Sequence, residues 1–252
     1  MRLYISDIKD YLRCPLYYKF RAIDQIPSNR TINDFYRDYV RLSIFYYYFS
    51  TIERKIKSFE SILRKWESLW FSNEMTTMFS EFELKEYSNK AVLLLTSFYK
   101  RISDENIMPI AVNFTYDIIF PGTKNIQVVG DIDLIGISND RTRVSKTDII
   151  FFTMREDKSD EFILKNDIEL TLASLAFRNS FKEKEDRIVL RSITSEEESY
   201  SSRTGGDFIR AEKIARNIAA GIDGKVFYPA PNKINCSKCN FKLLCLNEKA
   251  VP

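Results

Sequence analysis

The chain has 252 residues, 44% of them hydrophobic and 29% charged, with a formal net charge of +3. That length and balance suit one elaborated globular domain with a real core, and exclude a disordered, collagen-like or strongly polyanionic chain. Histidine is absent, which excludes a histidine base, a histidine metal ligand and a Ser–His–Asp triad. No stretch approaches the run of apolar residues that spans a bilayer, and the opening Met1-Arg2-Leu3-Tyr4-Ile5-Ser6-Asp7 lacks the apolar core of a secretory leader. The sequence therefore predicts no membrane contact and a cytoplasmic location, in the host cytoplasm if the source is a virus.

In chain order, Ser6 is placed to cap a short helix carrying Ile8, Tyr11 and Leu12, and Pro15 breaks or bends the chain after Cys14. Residues from about 33 to 100 contain neither Gly nor Pro and read as helical. Phe59, Ile62, Leu63, Trp66, Leu69 and Trp70 recur at helical spacing. Ile44-Phe45-Tyr46-Tyr47-Tyr48-Phe49 is apolar on every face. This predicts a buried helix whose aromatics pack in a core rather than stack on nucleic-acid bases.

The texture changes after Pro109. Residues 110–120, 126–138 and 143–154 read as three strands of an antiparallel meander, with turns at 121–125 and 139–142. Residues 168–181 read as a helix, 188–193 as a strand and 196–206 as a polar mobile loop. Residues 208–220 read as a helix stopped by Gly221. The order describes an α/β core with a large helical insertion.

Four cysteines divide between the ends of the chain: Cys14, then Cys236, Cys239 and Cys245. A Cys-x-x-Cys with a third Cys close by, in a chain without a leader, argues for a metal over disulfides. Four thiolates are a full ligand set for zinc or for an iron–sulfur cluster, and the spacing leaves both open. Either would tie the first helix to the last loop and couple metal binding to folding.

The segment from Ile5 to Phe20, with Arg13-Cys14-Pro15 inside it, resembles the opening of RecB/AddB/Cas4-type PD-(D/E)XK nucleases. The end resembles them more closely: Ile218-Ala219-Ala220-Gly221-Ile222, Phe227-Tyr228-Pro229-Ala230-Pro231, then Cys236, Cys239, Phe241, Leu244 and Cys245. Between them, Val129-Gly130-Asp131-Ile132-Asp133-Leu134-Ile135 looks like the strand that bears the family's first catalytic aspartate. The resemblance implies a single nuclease-fold domain: a restriction-endonuclease-like core sheet flanked by helices over 109–220, an N-terminal helical insertion over 33–108, and a staple of 221–252 with Cys14. It implies a 4Fe–4S cluster on Cys14, Cys236, Cys239 and Cys245, and work on DNA, single-stranded or at ends, beside a helicase, nuclease or integrase. No P-loop is present, so any motor is another chain.

Cleavage in this family needs two acids and a lysine on adjacent strands, with Mg²⁺ or Mn²⁺ activating water. Asp133 matches the first acid. On the next strand, Phe151-Phe152-Thr153 in one register loses both the acid and the lysine. In the other, Asp148-Ile149-Ile150 keeps the acid alone. Lys146 precedes Asp148 on the same face, and Glu169 stands where the following helix should carry Gln. Asp131 alternates with Asp133, so the two with Asp148 or Glu169 offer oxygen ligands to Mg²⁺ or Mn²⁺. The expectation is a catalytically impaired Cas4/RecB-type protein that binds DNA or scaffolds a DNA-processing complex. An active nuclease with a rearranged site and a protein-interaction module without a DNA role are the alternatives. Lys124, Arg141, Arg143, Lys146 and Arg155 are the candidate DNA contacts.

Overall fold

The structure is a computed structural model that describes the chain except residues 29, 54–57, 104–106, 123–124, 140–144, 238 and 249–252. Among the described residues, six strands form one mixed sheet: β1 (Arg2–Tyr4), β2 (Ile107–Phe120), β3 (Ile126–Asn139), β4 (Ser145–Thr153), β5 (Arg187–Ser192) and β6 (Glu198–Ser201). The helices are α1 (Ile5–Arg13), α2 (Pro15–Tyr18) running into a π-turn at Lys19–Ile23, α3 (Ile32–Ile52), α4 (Phe59–Trp70), α5 (Asn73–Met78) and α6 (Glu81–Ser103). The second half adds α7 (Glu161–Asn166), α8 (Ile168–Phe181), α9 (Gly205–Asp223), α10 (Lys233–Ser237) and α11 (Lys242–Glu248). Among the described residues, no helix is long and apolar enough to cross a membrane.

The meander is present: β2, β3 and β4 pair antiparallel in order. β5 then adds parallel to β4 and β6 antiparallel to β5. The apolar alternation of the strands divides two helical layers between the faces. On one face α1, α8 and α9 pack with Ile132, Ile135, Ile149 and Phe151; on the other α3, α4 and α6 pack with Leu134, Ile150 and Val189. The aromatic run of α3 is core, as its composition predicts: Tyr48 stacks on Phe152 with centroids 6.0 Å apart. In the same layer Trp66 stacks on Trp70 at 4.9 Å. The region that reads as helical divides into four helices, with Ser58, Ser72 and Ser80 in the breaks between them.

Three local expectations are corrected. α1 starts two residues earlier than a Ser6 cap would allow, with Tyr4 at the cap and its N–H donating to Asp7 at 2.9 Å. The polar segment at 196–206 is not a free loop: it holds the edge strand β6, and Arg203 beyond it is buried. Charged and hydroxyl side chains are what an exposed sheet edge favours, so polarity hid a strand.

Gly221 does not stop α9, which continues to Asp223. It leaves room for α1, because a Cβ there would lie 2.3 Å from the Tyr11 hydroxyl, which donates to the Val226 carbonyl at 2.8 Å. Gly221→Ala is therefore expected to cost about 1–3 kcal/mol by overpacking. Tyr11→Phe in the same chain should recover part of that loss, read by urea denaturation. An Ala variant as stable as wild type would show that the two helices are not in close contact.

Candidate functional site

The site follows from where strands end. β2 covers one edge of β3 along nearly its whole length. The other edge is shared: β1 pairs with Gln127 to Val129, and β4 pairs from Leu134 onward. Gly130 to Asp133 therefore face a fork in the sheet, with no strand beside them on that edge. Across β2–β3, Asn113 lies opposite Asp133 and has a left-handed φ of 49°. Alternation breaks there. Phe114 and Ile132 pack on one face of the sheet, whereas Val112 and Leu134 pack on the other.

Asp133 fills the fork and is 1% exposed. Its Oδ2 accepts from the Phe152 N–H of β4 at 2.8 Å, supplying the acceptor that a neighbouring strand would have offered. Its Oδ1 accepts from Nη2 of Arg41, which reaches in from α3. Burial raises the Asp133 carboxyl above the usual aspartate range; Arg41 and the Phe152 N–H pull it down, and the charge of Glu169 adds to the rise. Glu169 itself lies in the first turn of α8. Asp167 caps that helix, accepting from the Glu169 and Leu170 N–H groups at 2.8 and 3.1 Å. Lys9 of α1 pairs with Glu169 at 2.6 Å.

The other predicted residues go elsewhere. Asp148 pairs in register with Gly136, three residues beyond Asp133 along β3, which puts it about 10 Å further up the sheet. It is 2% exposed and gripped by Arg187 at 2.9 and 2.6 Å and by the Ser138 hydroxyl at 2.7 Å. Lys146 lies one step further still, opposite Ser138. These two do not join Asp133, and the β4 residues beside it are those of the Phe151-Phe152-Thr153 register. Asp131 is exposed and accepts from Thr115 at 2.5 Å, so the two aspartates of the strand are held by different partners. Arg155 is exposed just past the end of β4. Lys124, Arg141 and Arg143 lie outside the described residues.

A divalent ion of the Mg²⁺ class needs several free oxygens. Both oxygens of Asp133 are engaged, and Phe151 and Thr153 stand where a second acid and a lysine would serve it. The residues at the fork as they stand do not fit a resident Mg²⁺ or Mn²⁺. Arg41 and Lys9 went unread in the sequence. The available signal was a cation in the middle of the aromatic helix, within the mostly apolar Tyr39-Val40-Arg41-Leu42-Ser43-Ile44.

The four cysteines are brought together. Cys14 is the extended residue between α1 and α2, with Pro15 opening α2, so one residue both ends and restarts a helix. The Leu16 N–H donates to the Tyr228 carbonyl at 3.1 Å, and Arg13 to the Asn235 carbonyl at 3.1 Å, which draws the end of the chain over this turn. Phe241 is 2% exposed against Tyr17 and Phe20. Cys14, Cys236, Cys239 and Cys245 line one cavity of about 120 Å³. All four are free of disulfides. The Ala230 N–H points at the Cys14 sulfur and the Asn232 N–H at the Cys236 sulfur, each at 3.4 Å. As placed, no three acidic, thiol or imidazole groups among the described residues close on a single ion. The donor set, four thiols with two N–H groups aimed at sulfur, fits a thiolate-held metal group.

No curated protein matches the sequence. A solved structure, that of SSO0001, aligns with a TM-score of 0.43 and 15% identity, over 97% of this chain and 85% of its own. The sequence model of the PD-(D/E)XK nuclease superfamily matches residues 2–246, which span the whole sheet, its fork and all four cysteines. On that match and on a mixed sheet flanked by helices, the chain belongs to the PD-(D/E)XK nuclease superfamily.

Proposed function

We propose that this chain is a catalytically impaired nuclease-fold protein of the RecB/Cas4 iron–sulfur type, kept to bind DNA or to scaffold a DNA-processing complex. One observation carries the reading. The fork's acid, Asp133, has its two oxygens taken by Arg41 and by the Phe152 N–H, and the residues on either side of Phe152 are Phe151 and Thr153 rather than an acid and a lysine. Cys14, Cys236, Cys239 and Cys245 would hold a 4Fe–4S cluster. All four line one cavity of about 120 Å³, and four thiolates are a full ligand set for such a cluster. When bound, the cluster supplies a clasp between α1–α2 and the end of the chain. Exposed Arg155, just past the end of β4, would offer its charge to a DNA backbone.

The test is a cleavage and binding assay on single- and double-stranded DNA with Mg²⁺ or Mn²⁺, using anaerobically purified wild-type and Asp133→Asn proteins. The expected result is DNA binding that weakens with salt and no cutting that depends on Asp133. Cutting lost in Asp133→Asn means an active nuclease. Failure to bind any DNA means a protein-interaction module.

A further inference from the structure

Arg13 is a half-buried cation without a carboxylate partner among the described residues. It is the last residue of α1, directly before Cys14. Its Nη2 donates to the carbonyl of Asn235, the residue directly before Cys236, at 3.1 Å, and its guanidinium lies 4.7 Å over the Tyr17 ring. Asp10, one turn earlier on α1, is taken by Arg21. Among the described residues, two cations line the cysteine cavity, Arg13 and Lys242, and no carboxylate does. Lys242 is exposed, so water screens its charge. Arg13 instead shares the lining with buried Leu16, Phe20 and Phe241, where a charge acts more strongly. The backbone there is of the same kind. Pro229 and Pro231 have no N–H to offer. The Ala230 and Asn232 N–H groups beside them are aimed at the sulfurs of Cys14 and Cys236, each at 3.4 Å. Arg13 links the same two cysteines, in a lining whose donors and cations all suit negative charge on sulfur.

We propose that Arg13 is the positioning residue of the cysteine site: it holds the Cys236 turn against Cys14 and supplies the counter-charge of the thiolates, so that it raises the reduction potential of the group they hold and slows its loss. Four thiolates carry more negative charge than an iron–sulfur core neutralises, and net charge is one of the quantities that set its potential. A cation beside them favours the reduced, more negative state. The hydrogen bond to Asn235 joins segments 222 residues apart, and groups that orient metal ligands in this way govern retention of the metal. The inference rests on the iron–sulfur reading of the four cysteines, and not on whether the chain binds or cuts DNA.

The test uses the full chain, purified anaerobically and reconstituted with iron and sulfide. Wild type is compared with Arg13→Gln, which keeps a donor for Asn235 without the charge, with Arg13→Lys, which keeps the charge, and with Arg13→Met, which keeps neither. Two quantities are read. One is the midpoint potential, from the electron paramagnetic resonance signal of the reduced cluster during a redox titration. The other is the rate of iron loss to a chelator. The potential is expected to fall in Arg13→Gln and Arg13→Met and to stay near wild type in Arg13→Lys. Iron loss is expected to quicken about 10–100-fold in Arg13→Met, and less in the other two. Loading of Arg13→Lys where neither neutral variant assembles a cluster also supports the proposal, since charge alone then restores the site. An unchanged potential in loaded Arg13→Gln and Arg13→Met overturns it. So does an Arg13→Lys chain that loads no cluster, or whose potential falls as far as that of Arg13→Gln. Either of these, with a cluster-loaded wild type, defeats this inference alone. A wild-type chain that loads no cluster defeats the reading of the four cysteines and this inference with it.

Discussion

Cys239→Ser is expected to abolish the brown colour and iron content of anaerobically prepared protein and to release residues 227–248 from the fold. The reason is the size of the core beneath them. Leu16, Phe20 and Phe241 are the fully buried members of that cluster, and they share no residue with the two clusters that sandwich the sheet. Three buried side chains supply roughly 5–9 kcal/mol at about 1.5–3 kcal/mol each. Ordering some twenty residues costs more than that, at about 1–2 kcal/mol per residue. A thiolate-bound structural metal is the further contribution that this segment needs. Limited proteolysis should therefore nick the variant within 227–248 while the sheet stays protected. Hydrogen exchange should show the same boundary. Retained iron, or an undisturbed end of the chain in an iron-free variant, would refute the clasp. Cys14→Ser should act alike despite lying more than two hundred residues away, because its sulfur lines the same cavity.

Arg203→Met is expected to cost about 3–5 kcal/mol, a fall in Tm of roughly 10 °C for a chain of this size. Arg203 is 2% exposed and joins three elements. Its Nε donates to the Thr171 hydroxyl of α8 at 2.7 Å and its Nη2 to the Leu164 carbonyl of α7 at 2.6 Å. Its Nη1 donates to the Ser201 hydroxyl of β6 at 2.5 Å and to the Ser202 carbonyl at 3.1 Å. Burial lowers its pKa from the free arginine value, against the nearby charges of Asp207, Asp167 and Glu185. The group stays charged, and each of its three nitrogens donates at least one hydrogen bond. Met fills much of the volume and leaves those acceptors unpaired, at about 1–3 kcal/mol for each one that water cannot reach. Arg203→Lys should recover only part of the loss, since one ammonium cannot reach all four acceptors. A Met variant within 1 kcal/mol of wild type in urea denaturation would show that the network carries little stability.

Arg203 and Arg41 show why the site was only partly legible. Glu169 and Asp133 could be found because each lies at a set place in a local pattern: the first turn of a helix that Asp167 caps, and an alternating strand after Gly130. The choice between two registers on β4 was not local. It depended on where β4 leaves β3, and the Phe152 N–H on Asp133 places Phe151 to Thr153, rather than Asp148 to Ile150, beside the acid. Alternation also predicted one shared face for Asp131 and Asp133. The left-handed Asn113 opposite Asp133 marks the point where alternation breaks, and nothing in β3's own sequence announces it.

By itself, the sequence determined the elements with strong periodicity. These are the meander, α4 with its Phe59 to Trp70 stripe, and α8 with the bounds that its apolar spacing predicts. It also determined the four cysteines as a separated set, because ligand identity and order are written in the chain whatever the fold. Tertiary structure alone decided the partner of each buried charge. Arg41 meets Asp133 across 92 residues, and Arg187 meets Asp148 across 39. A buried ion needs a counter-charge, but the demand fixes neither its place in the sequence nor its side of the sheet. That choice was made by the fork between β1 and β4, which leaves room for a guanidinium entering from α3.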